Sequence, residues 1–143
     1  ASRTIVFTFG SSLFFRGKLN RTYVIRIITS DKDGKITLDE VPFNAKIGLF
    51  GHEFNHLVDY SGKNIFGIIG RLFAYSNKGT KEKFEKHIDL LTIQRGLGQQ
   101  LYDWSFFVLY ESDASEKYKA YKEKVYLEPQ EIKSYLQNSM KTD

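Results

Sequence analysis

Asn44-Ala-Lys-Ile-Gly-Leu-Phe-Gly-His-Glu-Phe-Asn-His-Leu-Val-Asp-Tyr60 is the first convincing helix in the chain. Ile47, Phe50, Phe54, Leu57 and Val58 recur at helical spacing, which gathers them towards one side. Asn44 reads as the N-cap, following the strand-like Val41-Pro-Phe43, because its side-chain oxygen can accept from free N–H groups of the first turn. The stretch also carries His52 and His56, two of only three histidines in the protein. Four residues turn an α-helix by about 400°, so both imidazoles project from one side, one turn apart.

Upstream of this helix the chemistry is that of strands. Arg3 to Phe9 and Tyr23 to Thr29 are runs of β-branched and aromatic residues, the first ending at Gly10. Asp31-Lys-Asp-Gly34 reads as a tight turn. It is not a calcium loop, since the glycine falls too early and Pro42 stands where the bidentate glutamate belongs. Downstream the pattern is helical. A glycine-containing stretch from Ser61 to Gly70 leads into a helix at Arg71 to Tyr75, and Ser76 to Thr80 is a loop with Thr80 as cap. Lys81 to Gln94 forms a helix closed by Arg95-Gly96, and Gln99 to Leu109 another. Ser115 to Lys124 is a polar helix, and Pro129 opens a last one through Ser139. The expected architecture is α+β, a small N-terminal sheet followed by several helices, in a single domain spanning 1–143.

Composition narrows the chemistry. At 143 residues with 41% hydrophobic and 15% aromatic residues, the chain can bury a core. A net charge of +4 is mildly basic, but its late lysines alternate with Glu82, Glu85, Glu116 and Glu123, the pattern of solvated helix surface. No nucleic-acid motif accompanies them, so no nucleic-acid partner is expected. The absence of cysteine excludes disulfides, thiolate catalysis and cysteine-type zinc sites. No apolar run reaches the roughly 18 residues of a membrane helix. Ala1-Ser-Arg-Thr4 shows neither a signal peptide nor a lipidation motif, and the compartment stays open.

His52 and His56 are therefore read as a chelating pair. Neutral imidazole suits zinc, and zinc lowers the pKa of a bound water towards roughly 7. Glu53, next to the first histidine, is placed to take that water's proton as it attacks a carbonyl. A catalytic zinc needs a third protein ligand and one open position. No third histidine follows at a suitable distance in Leu57-Val-Asp-Tyr-Ser-Gly62. Glu85 is the preferred ligand, because Asp89 lies four residues on, on the same face, where it can accept the second N–H of a ligating imidazole. His87 competes for the role, but it projects about 200° away from Glu85 and has Leu91 in place of the acid.

His52-Glu-Phe-Asn-His56 followed by Glu85-Lys-His-Ile-Asp89 resembles the zinc-binding helix and the glutamate helix of gluzincin metallopeptidases, and the compact size is similar to single-domain minigluzincins. Gly51 to Tyr60 together with Asp89 to Gly98 also resembles bacterial domains that pair a Gly-His-Glu-x-x-His start with an Arg-Gly-Leu-Gly ending. The resemblance covers roughly residues 41 to 104. It implies a zincin-like fold, one zinc ion held by His52, His56 and Glu85, and Glu53 as general base.

Asp59, three residues after His56, is either a partner of a ligating imidazole or a partner of the helix C-terminus. Tyr60, Tyr75, Tyr102 and Arg95 are candidates to stabilise a developing oxyanion. Tyr23 to Thr29 would offer a sheet edge to an extended peptide. The expected function is zinc-dependent hydrolysis of peptide bonds in a peptide or protein substrate, by a monomer. The alternative is a non-catalytic or regulatory domain that keeps the metal site. The intact Glu53 favours catalysis, because a purely structural site has no use for that carboxylate.

Overall fold

The computed structural model describes residues 36–139, together with the backbone of two strands, β1 (Thr4–Thr8) and β2 (Val24–Ile28). These pair antiparallel in a two-stranded sheet, with Ile5 opposite Ile27 and Phe7 opposite Ile25. The expected turn at Asp31 to Gly34 lies outside the described residues.

From residue 36 onward the described chain is helical. α1 (Phe43–Ser61), α2 (Ile65–Ser76) and α3 (Lys78–Thr92) come first. A kinked segment, Ile93–Leu97, broken by the non-helical Gly96, leads into α4 (Gly98–Phe106), and a π-helical turn, Phe107–Glu111, closes it. α5 (Glu116–Val125) and α6 (Pro129–Ser139) complete the body.

This overturns the expected α+β class. Residues 36–139 contain no strand or sheet, and their packed body is all helical. β-Branched composition marked the two strands correctly, but two strands do not supply a sheet layer for a core of this size. The helix expected at Arg71 to Tyr75 starts earlier, at Ile65 within the glycine-containing stretch, where the Asn64 side chain accepts from the Gly67 N–H at 2.9 Å. Asn77 caps α3 in the same manner through Gly79 at 3.0 Å, displacing the expected Thr80 cap. Asn44 is no cap either, since α1 starts at Phe43 and the Asn44 amide donates to Asp103 of α4.

Two apolar clusters hold these helices. The larger joins Ala45 of α1 to Leu101, Trp104, Val108, Leu127 and Ile132. The smaller, formed by Tyr60, Ile68, Phe84 and Ile88, packs the second half of α1 against α2 and α3. Gly48 allows the closest approach. A Cβ there would lie 2.1 Å from the carbonyl oxygen of Gln100 and 2.7 Å from the backbone nitrogen of Leu101, so α1 can cross α4 only where it lacks a side chain. Gly96 adopts a left-handed φ of 82° and turns the chain between α3 and α4. Among the described residues no helix is long and apolar enough to cross a membrane.

Candidate metal centre

α1 and α3 lie side by side and face each other with their polar positions. His52 and His56 come from α1; Glu85 and Asp89 come from α3. All four are at most 4% exposed, so none of the charge they carry is spread into water. The Nε2 atoms of the two histidines are 3.0 Å apart, and each lies 3.2 Å from Oε2 of Glu85. Three donor atoms thus form a nearly equilateral triangle. A tetrahedral zinc with ligands at 2.0–2.1 Å has donor-to-donor edges of about 3.3 Å. Two imidazoles and one carboxylate at that spacing fit the ion without rearrangement of the chain.

The surrounding bonds hold the donors in the right form. His52 donates its Nδ1–H to Oδ1 of Asp89 at 2.7 Å, which leaves Nε2 directed at the triangle. Oδ2 of Asp89 accepts the backbone N–H of Leu127 at 2.9 Å. The Tyr75 hydroxyl donates to Oε1 of Glu85 at 2.8 Å, leaving Oε2 for the imidazoles. Tyr60 and Tyr75 share a further hydrogen bond. Burial, and then the charge of Glu85, push both phenols upward, so they stay protonated.

The charges in the cluster act on one another. Burial alone would lower the pKa of His52, but the charges and hydrogen bonds of Asp89 and Glu85 outweigh it and raise it to about 10. Burial opposes ionisation of Glu85, yet its bonds to His52 and His56 hold it far below the usual carboxylate range. A metal bound at this position would compete with the proton for a lone pair on His52.

Glu53 is half-buried beside His52 on α1 and makes no hydrogen bond or ion pair among the described residues. Near it stands Tyr126, whose ring centroid is 5.4 Å from that of His52. Burial first, then the charges of Glu85 and Glu53, drive the Tyr126 hydroxyl well above its usual range. The ammonium of Lys122 lies over the Tyr126 ring, 3.7 Å from its centroid.

The remaining sequence candidates fall elsewhere. His87 is exposed on the far side of α3. Asp59 touches neither imidazole: Arg71 holds both its oxygens at 3.0 and 3.1 Å, and Lys63 pairs with it at 3.0 Å, so it ties α1 to α2. Those cations lower its pKa against the effect of burial. Tyr102 stacks on Phe106 at 5.9 Å along α4. Arg95 donates to Oδ1 of Asn55. Tyr60 and Tyr75 support Glu85 from behind. Tyr126, Leu127, Asn55 and Thr92 carry no signal in the sequence, because their roles depend on contacts across 37 or more positions.

Comparison with protein-family models, with curated proteins and with solved structures finds no match.

Proposed function

We propose that the cluster is the centre of a zinc-dependent hydrolase acting on peptide bonds. The observation that carries this reading is the triangle of His52, His56 and Glu85 with Glu53 beside it. His52, His56 and Glu85 would hold the ion, and a bound zinc supplies a Lewis acid that polarises the carbonyl and acidifies water. Glu53, partly open to solvent and without a partner among the described residues, takes the proton of the attacking water and delivers it to the leaving nitrogen. Tyr126 donates a hydrogen bond to the oxygen that gains charge as the carbonyl becomes tetrahedral. Asp89 keeps His52 in the tautomer that presents Nε2.

Two histidines and one carboxylate also suit non-haem iron. The adjacent carboxylate of Glu53 favours hydrolysis, since oxidative chemistry has no use for a base there. The same carboxylate separates this reading from a regulatory metal domain.

Metal analysis of the purified protein, paired with a peptide-cleavage assay, tests it. The expected result is close to one zinc per chain, lost in His52→Ala and in Glu85→Ala. Glu53→Gln should keep the metal and lose at least about a hundredfold in cleavage rate. Equal cleavage by the wild type and Glu53→Gln would remove the general base from the scheme. Iron in place of zinc, with no peptide cleavage, would overturn the hydrolase.

A further inference from the structure

Between the histidine pair and the Arg95-Gly-Leu-Gly98 segment lies a set of contacts that the metal site does not use. Asn55 stands on α1 between the two ligands and is 3% exposed, while Thr92, one turn beyond Asp89 on α3, is completely buried. Nδ2 of Asn55 donates to the Gly51 carbonyl and to Oγ1 of Thr92, both at 2.9 Å. The Thr92 hydroxyl donates in turn to the Ile88 carbonyl at 2.9 Å. Oδ1 of Asn55 accepts from the Arg95 guanidinium. Every donor and acceptor of the Asn55 amide is engaged, as a buried polar network requires. Beside the network, Gly51 leaves space for Leu97: a Cβ there would lie 2.6 Å from Cδ1 of Leu97, and at ordinary contact distance, 3.5 Å, from Cγ2 of Thr92.

We infer that Asn55 and Thr92 are positioning residues that lock α1 to α3 at the register bringing His52, His56 and Glu85 into one donor triangle, with Arg95 closing the lock. The inference rests on the metal-binding reading above. A slip of one residue along a helix moves a side chain by about 1.5 Å. The donor atoms are only 3.0 to 3.2 Å apart, so such a slip dissolves the triangle. Apolar packing alone tolerates small slides, whereas the Asn55–Thr92 bond has one register. The Gly51 carbonyl, which accepts from Asn55, and the arginine after α3 thereby join the ligands in one device.

Zinc affinity, measured by chelator competition on the full chain, tests it alongside the thermal midpoint of the zinc-free protein. Thr92→Val removes the hydroxyl at constant volume and should weaken zinc binding by about 10- to 100-fold. Thr92→Ser restores the hydroxyl and should bind zinc as tightly as the wild type. A merely structural role would lower the zinc-free midpoint and leave affinity unchanged. Asn55→Ala should match Thr92→Val, and if it fails to fold, the threonine pair still decides the matter. Wild-type affinity in Thr92→Val, or equal weakness in Thr92→Ser, overturns the lock while leaving the metal centre intact. A wild-type protein that takes up no zinc overturns both.

Discussion

His52 donates its Nδ1–H to Asp89 at 2.7 Å across the interface of α1 and α3, and this bond orients the imidazole towards the donor triangle. The other oxygen of Asp89 accepts the backbone N–H of Leu127, at 2.9 Å. One carboxylate therefore ties a metal-ligand candidate to the junction of α5 and α6. Both partners are buried, so the pair is shielded from competing water.

Asp89→Asn keeps the shape and removes the charge. It should weaken zinc binding by about 10- to 100-fold, because an amide can present its N–H₂ to His52 and favours the wrong tautomer. Chelator competition measures this. Undiminished affinity would show that Asp89 serves only the Leu127 backbone.

Stability of the metal-free protein should depend on pH with a definite sign. His52 has a pKa raised from 6.5 to about 10, so its contribution is fully present below pH 6.5 and disappears as pH rises towards 10. Glu85 has a lowered pKa, so its contribution is present above 4.5 and is lost as pH falls below that value. Metal-free protein is therefore expected to be most stable at mildly acidic pH. Urea midpoints taken across this range check it; a midpoint that climbs steadily from pH 6.5 to 10 would contradict the protonated His52.

Gly48→Ala should destabilise the fold by about 2–3 kcal/mol, as an overpacked contact that the backbone of α4 must relieve. The contacting atoms belong to the backbone of Gln100 and Leu101 and cannot swing aside. Denaturant unfolding measures the loss. A stability equal to that of the wild type would mean that α1 and α4 can separate freely at this crossing.

Tyr126→Phe should retain zinc and lower kcat by about 10²- to 10³-fold with little change in KM, the loss expected for a donor that acts on developing charge. The pH dependence of the remaining activity should still report Glu53. Full activity in this variant would assign oxyanion stabilisation to another group.

The local sequence determined whatever depends on the period of one element. The spacing of His52 and His56 placed two imidazoles on one side of a helix, and the spacing of Glu85 and Asp89 placed two carboxylates on another. These features survive any packing, because helical rotation per residue is the same everywhere. The strands at Thr4–Thr8 and Val24–Ile28 were legible for the same reason, from β-branched composition.

Tertiary structure alone decided the rest. α2 and α3 begin earlier than their sequence pattern placed them, at Ile65 and Lys78, because Asn64 and Asn77 cap their first turns. Asp59, three residues from His56, was drawn away by Arg71, a partner no helical period could reveal. Tyr126 came to His52, and Thr92 to Asn55, from segments 74 and 37 positions away in the chain. Such contacts arise when apolar faces choose their neighbours. That choice is made by burial summed over the whole core rather than by the pattern within any one helix.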